Sequence, residues 1–235
     1  MIIKFYDLKK NLKQNKFFLL YGSNKGLIEE TIKNILKPSL TGNIYTYDES
    51  EILNDIENFK ETIFNKSFFE NEKLIIVNRV SEKIKIIMEE IIEKDLRDIF
   101  IILTSGVLEK KSKLRNFFEK NKELIIVPFY EDNNQTLSLI AQKFFQEKGI
   151  KISQQNINLI IERSKGERTN LKNELEKIEN FYVNKKKIDI EDILKLTNLA
   201  ENYSMSELVD NCLTRNKKKT FNIINENNFS AEDNI

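Results

Sequence analysis

Up to about residue 130, short apolar runs alternate with amphipathic stretches. Phe17-Phe18-Leu19-Leu20-Tyr21 is a continuous apolar run that ends at Gly22. Asn43–Tyr47 alternates and is β-prone, and Lys73–Val77, Asp98–Thr104 and Glu123–Val127 are three more apolar runs. Unbroken apolar runs of strand length suit strands covered on both faces, as in a parallel sheet. Between them lie helical patterns over Leu27–Leu36, Ile52–Phe64, Ile84–Ile92 and Leu108–Phe118. This alternation predicts an open α/β sheet.

The rhythm changes after Pro128, and from Asn134 onward the pattern is helical. Leu137, Ile140, Ala141, Phe144 and Phe145 fall on one helix face, and Gly149 follows as a C-cap. A second helix spans Gln154–Arg163 and stops before Gly166, and a third carries Leu171, Leu175, Ile178 and Phe181. Asp189 with Asp192 opens a fourth. Ser204-Met205-Ser206-Glu207 has the spacing of a capping box for a helix through Leu213, and another follows at Lys218–Asn225. The chain therefore divides into an α/β domain, a small helical domain and the beginning of further helical structure.

Composition narrows the chemistry. The 235 residues contain no His and one Cys (Cys212). That removes Ser-His-Asp and Cys-His catalysis, His-ligated metals and structural zinc. One Cys forms no disulfide framework, which points to a reducing cytoplasm. The 38 basic and 37 acidic residues leave a net charge of +1, so no bulk field draws the chain to DNA or to an anionic membrane. No stretch approaches the ~20 apolar residues that span a bilayer. The first residues lack the long apolar core of a signal peptide.

A sheet domain followed by a small helical one is the layout of a nucleotide switch, so the turn after the first strand decides. A P-loop reads G-x-x-x-x-G-K-[ST], because backbone N–H groups wrap the phosphates and a Lys reaches them. Here the turn is Gly22-Ser23-Asn24-Lys25-Gly26-Leu27-Ile28-Glu29-Glu30. The second Gly comes one residue early, and apolar residues and two carboxylates follow in place of Lys and Ser/Thr. The strand that would hold Mg²⁺ through a terminal Asp or Glu runs instead into Asn78-Arg79-Val80. Gly22 and Gly26 read as a tight strand-to-helix turn, and residual nucleotide binding is the competing reading.

Three features in order carry a family resemblance: Phe17–Gly22 without a P-loop, Ser67-Phe68-Phe69 before a buried strand, and Lys165-Gly166-Glu167-Arg168 leading into Leu171-Lys172-Asn173-Glu174-Leu175-Glu176-Lys177-Ile178. Together they resemble the delta subunit of the bacterial DNA polymerase III clamp loader, along nearly the whole chain. The resemblance implies an AAA+-type fold: a RecA-like base over 1–130 without a functional P-loop, a helical lid over 131–200, and the start of an all-α collar over 201–235. It also implies a collar of about a hundred further residues, so the sequence reads as C-terminally truncated. It implies a cytoplasmic, bacterial DNA-replication protein that binds no cofactor or metal and has no catalytic residues. Such a subunit binds the sliding clamp (the beta subunit) and holds one interface of the ring open, while other loader subunits hydrolyse ATP and the assembly handles primed DNA. The holoenzyme served is a DNA-directed DNA polymerase, a nucleotidyltransferase. No convincing carboxylate set for two-metal chemistry exists in this chain.

The family's clamp-binding element falls on Ser67, Phe68 and Phe69, with Phe68 where Leu is usual. Two adjacent rings on a turn can plug a partner's pocket, worth about 3–6 kcal/mol together. Association costs about 4–15 kcal/mol, so flanking residues such as Phe64 and Leu74, or nearby polar groups, must add contacts. Ordinary core is the alternative reading of these rings. Lys110, Lys111, Lys113 and Arg115 either touch phosphates or form a solvated helix face. Lys185–Lys187 reads as a polar loop, Lys217–Lys219 as an exposed helical turn, and Cys212 as buried beside Leu208 and Leu213. Arg115 and Arg168 are the only arginines placed like an arginine finger, and neither is expected to serve as one. Two other functions compete with clamp opening: an AAA+ or P-loop ATPase with an aberrant site, and a stand-alone helical nucleic-acid binder. The interleaved charges rank the last lowest.

Overall fold

A computed structural model describes residues 1–12, 15–39, 42–64, 72–94, 98–182, 189–197 and 205–226. The chain divides after Asp132 into two compact units.

In the first unit a short helix α1 (Leu8–Asn11) precedes β1 (Phe17–Gly22), and α2 (Lys25–Thr31) follows it. α2 continues through a π-helical turn at Ile32–Leu36 into α3 (Lys37–Ser39). Pro38 lies in this last piece and has no N–H for the carbonyl of Asn34, and the widened turn precedes it. Then come β2 (Asn43–Asp48), α4 (Glu49–Asn54), α5 (Ile56–Phe64) and β3 (Lys73–Asn78). α6 (Ile84–Glu93), β4 (Ile99–Ser105), α7 (Lys113–Lys120) and β5 (Leu124–Phe129) complete the unit.

The strands form one sheet in the order β2-β3-β4-β1-β5, and every pair is parallel. The predicted α/β sheet is therefore present. Period-2 alternation sends Phe17, Leu19, Tyr21, Ile75, Val77, Ile101 and Leu103 to one face, under α4–α7. Phe18, Leu20, Ile76, Ile102, Ile125 and Val127 go to the other, under α1, α2 and the π turn. Burial on both faces is why the runs read as continuous and not alternating.

Two helices differ from their predicted spans. The Ile52–Phe64 pattern breaks at Asp55, whose φ of −147° leaves the helical region and whose carboxylate accepts from Asn58 N at 3.1 Å. The Leu108–Phe118 pattern becomes helical only at Lys113, where Ser112 Oγ caps Arg115 N at 3.2 Å. In both places a side-chain acceptor starts a new helix. The chain start also joins the sheet: Ile3 N donates to Ile126 O at 3.1 Å, and Ile126 N donates to Met1 O at 3.0 Å.

The second unit begins with α8 (Asn134–Glu147), α9 (Gln154–Arg163), α10 (Arg168–Tyr182) and α11 (Ile190–Leu196). Leu137, Ala141, Phe145, Ile157, Ile160, Leu171, Leu175, Ile178 and Ile193 form its core, as the helical spacing predicts. Gly149 takes φ +67° and closes α8. α12 (Met205–Leu213) and α13 (Lys217–Glu226) pack on each other as a hairpin. Cys212 is exposed, which corrects the expectation of burial. Among the described side chains of this hairpin only Ile223 is buried, while Leu213 is 76% exposed, so Cys212 has no core to enter.

Gly22 sets the spacing at the end of the sheet. It takes φ +143°, and a Cβ there would sit 1.9 Å from the carbonyl oxygen of Phe129. Gly22→Ala is expected to lower stability by about 2 kcal/mol or more, through both the strained φ and the forced separation of β1 from β5. Urea denaturation of the two chains checks this.

Candidate functional site

In an open parallel sheet, ligands bind outside the carboxyl ends of the strands, where successive connections diverge to opposite sides. Here that point lies between β4 and β1: the chain leaves β1 for the β2 edge and leaves β4 for β5 on the opposite side. A crevice of about 850 Å³ lies at this edge. Its walls include Lys25, Ile28, Glu29, Ile32, Lys33 and Lys37 from the helix after β1. Thr46, Ile76, Asn78, Arg79, Thr104, Ser105 and Gly106 from the strand ends complete them.

The helix N-terminus in this crevice is closed by its own side chains. Asn24 is 7% exposed, and its Oδ1 accepts from Leu27 N at 3.0 Å. Its Nδ2 donates to Tyr130 O at 3.0 Å and to the carboxylate of Asp132 at 2.9 Å. Lys25 N donates to Ser23 O at 3.0 Å, and Ile28 N donates to Asn24 O at 3.1 Å. A phosphate-binding helix presents these N–H groups to its ligand. Here two of them, Lys25 N and Leu27 N, are already used, and the bond from Ile28 N is the helix's own first one. Gly26 lies inside α2, so the turn is Gly22-Ser23-Asn24 alone.

The strand ends are neutralised in the same way. Asn78 Oδ1 accepts from Thr104 Oγ1 at 3.1 Å, so a neutral amide stands where a Mg²⁺-binding carboxylate would be needed. Arg79, at φ +55°, forms an ion pair with Asp48. Ser105 Oγ donates to Val80 O at 2.8 Å. Of the two carboxylates after the turn, Glu29 lines the crevice and Glu30 does not. Among the described residues no cluster of His, Cys, Asp or Glu could hold a metal ion.

The neighbouring helix starts are closed from one element to the next. Buried Glu49 accepts from Ser81 N at 2.8 Å and from Ile84 N at 3.2 Å, which caps α6. Glu82 accepts from Lys113 N at 2.8 Å and from Leu114 N at 3.3 Å, which caps α7. The Ser112 hydroxyl and these two backbone amides hold the Glu82 carboxyl below the usual glutamate range. Sequence reading missed Asn24, Glu49 and Glu82 as caps. Only the Asn24–Leu27 spacing is a local signal; the other two act across about thirty residues.

Ser67, Phe68 and Phe69 lie outside the described residues. Of the flanking contacts expected to help them, Phe64 is half-buried with Lys94 Nζ 3.7 Å from its ring centroid. Leu74 is 1% exposed inside β3, so it belongs to the core and offers nothing to a partner. Arg115 is not part of a solvated basic face. It pairs with Glu119 at 2.6 Å, donates to Leu108 O at 3.1 Å and lies 5.3 Å from the Tyr21 ring centroid. Lys111 pairs with Glu109 at 3.0 Å, and Lys113 is exposed. Lys217 and Lys218 are exposed in the first turn of α13, Arg168 is the first residue of α10, and Lys185–Lys187 lie outside the described residues.

No protein-family model and no curated protein matches the sequence. The fold does have solved counterparts. The Bacillus subtilis DNA clamp loader delta protein YqeN aligns over 94% of this chain and 70% of its own, with a TM-score of 0.53 and 17% identity. The Thermotoga maritima Holliday junction branch migration motor RuvB aligns over 91% and 73%, with a TM-score of 0.59 and 12% identity. These likenesses show an AAA+-like α/β fold. No described helix is long and apolar enough to cross a membrane.

Asn24→Ala removes a helix cap and is expected to cost about 1–2 kcal/mol of stability, read by thermal or urea unfolding. Glu82→Gln tests the cap of α7 by pH. The folded carboxyl is held below its unfolded value of about 4.3. Its stabilisation is therefore complete above that value and is lost as pH falls through the folded one. The gap between wild type and Glu82→Gln is expected to be constant near neutrality and to shrink below about pH 4.

Proposed function

We propose that this chain is a clamp-loader subunit of the delta type, which binds the ring-shaped sliding clamp and holds it open for loading on primed DNA. It acts through protein contacts and leaves ATP hydrolysis to partner subunits. In this reading residues 1–130 are the base, 131–200 the lid and 201–235 the opening of a collar. The observation that carries the proposal is the state of the crevice. An AAA+-like sheet retains its ligand position, yet Asn24 caps the helix there and Asn78 replaces the metal-binding carboxylate. A fold built around a nucleotide but lacking its chemistry fits a mechanical part of a larger assembly. The fold likeness to the Bacillus subtilis clamp loader delta protein supports the same reading.

Ser67, Phe68 and Phe69 are the proposed clamp contacts. They connect α5 to β3, between the half-buried Phe64 and the buried Lys73. Both flanks are anchored: Ile63 is 1% exposed in the core, and Lys73 Nζ donates to Thr62 O at 2.7 Å.

One observation favours an aberrant nucleotide-binding AAA+ protein instead. The crevice has the volume of a ligand pocket, and Lys25, Lys33 and Lys37 stand exposed along it. The two readings separate cleanly. The Phe68→Ala/Phe69→Ala chain is expected to keep its helical circular dichroism and to lose binding to the cognate sliding clamp by at least 100-fold in surface plasmon resonance. Undiminished clamp binding sinks the assignment. Titration of the wild-type chain with a fluorescent ATP analogue and Mg²⁺ is expected to show no saturable binding below millimolar nucleotide. Micromolar binding favours the second reading.

A further inference from the structure

The crevice beside α2 has its start capped, and most of its charge lies further along the helix. Lys25, Lys33 and Lys37 line it from the continuous run of α2, the π turn and α3, and all three are exposed. Lys33 and Lys37 stand well beyond the position where a phosphate meets a helix N-terminus. Glu29 is the one acid in the lining. The nearest other carboxylates are engaged: Asp48 pairs with Arg79, Glu51 accepts from Asp48 N at 2.7 Å, and Asp132 accepts from Asn24 at 2.9 Å. The lysines are therefore in excess.

Arg79 adds a fourth cation from the opposite wall. Its φ of +55° is the left-handed conformation that side-chain-bearing residues rarely adopt. Its neighbours hold it there, Asn78 through Thr104 Oγ1 at 3.1 Å and Val80 N through Thr104 O at 2.9 Å. Backbone strain of this kind persists where the surroundings over-determine it, and it marks candidate contact sites. The Arg79 side chain is 69% exposed even while it pairs with Asp48. Such a surface pair contributes little, so the guanidinium can exchange Asp48 for another carboxylate.

The rest of the lining selects among anions. Asn24 and Asn78 leave a polyphosphate without open helix N–H groups and without a metal-binding carboxylate. No aromatic side chain lines the crevice, so bases have nothing to stack on. Ile28, Ile32 and Ile76 supply apolar surface between the charged walls. Carboxylates interspersed with apolar side chains complement this arrangement. We propose that the crevice docks an acidic, apolar-containing segment of a protein partner, with Lys25, Lys33, Lys37 and Arg79 as the carboxylate contacts. The proposal stands apart from the clamp reading, since Phe68 and Phe69 take no part in it.

The test is fluorescence anisotropy of the whole 235-residue chain with a fluorescein-labelled peptide of alternating glutamate and valine at 50 mM salt. The peptide is expected to bind, and its counterpart with lysine for glutamate is expected not to. Lys25→Ala/Lys33→Ala/Lys37→Ala is expected to weaken binding at least tenfold. Lys9→Ala/Lys217→Ala/Lys218→Ala removes the same charge from exposed sites elsewhere and is expected to leave affinity within twofold. Arg79→Gly is expected to weaken binding at least threefold without lowering the unfolding temperature, because glycine relieves the positive φ. The Phe68→Ala/Phe69→Ala chain is expected to bind the peptide as wild type does, so this proposal and the clamp assignment fail separately. The proposal is overturned if the acidic peptide does not bind, if the lysine peptide binds as well, if the crevice lysine variant or Arg79→Gly keeps full affinity, or if the control variant loses as much. Displacement by ATP with Mg²⁺, or by oligothymidylate at equal negative charge, overturns it in favour of a phosphate site.

Discussion

A parallel sheet covered on both faces brings the starts of its helices to one edge, and each start carries N–H groups with no partner inside its own helix. Much of this molecule's chemistry follows from how that debt of hydrogen bonds is met. Nucleotide-binding folds leave some of these groups open for phosphate. This chain closes them from within. Asn24 caps α2, Glu49 caps α6, and Glu82 with Ser112 caps α7. Each cap except that of α2 draws on a side chain from an earlier connection, so the edge is stitched together.

The same closure separates position from chemistry. The crevice lies at the carboxyl edge of the sheet, between α2 and the ends of β2, β3 and β4. Its strand side carries amides, hydroxyls and an arginine engaged with Asp48, while exposed Lys25, Lys33 and Lys37 stand along its helix side. The strand ends are thus largely satisfied. Under the proposed function, the work on the clamp falls to surfaces outside this crevice. The helical unit meets the same requirement locally. Asn133, Ser153 and Asp189 each cap the helix that immediately follows, at Thr136, Asn156 and Asp192.

Much of the architecture was legible in the residues. The buried runs became β1, β3, β4 and β5, and the i, i+3, i+4 stripes of the second half became its core. Asp189 with Asp192 read correctly as a helix start. The loss of a P-loop was also legible, since it is a matter of residue type at fixed spacing. The differences have two origins. The break at Asp55 and the late start of α7 come from local acceptors that hydrophobic spacing does not register, and the exposure of Cys212 depends on what its helix meets outside itself. Arg115, grouped by sequence with neighbouring lysines, turns instead to Glu119 and Tyr21.

The sequence by itself determined which segments become strands and helices and which catalytic chemistries are missing, because both depend on side chains within a few residues of each other. Only the tertiary structure decided how the carboxyl edge is closed. Asn24 reaches Asp132 across 108 positions, and Glu49 reaches Ile84 across 35. It also decided that Lys33 and Arg79 line one crevice. No local pattern encodes such pairings. They appear when the chain returns to the same edge of the sheet, and the unpaired N–H groups there donate to whichever acceptor the fold delivers.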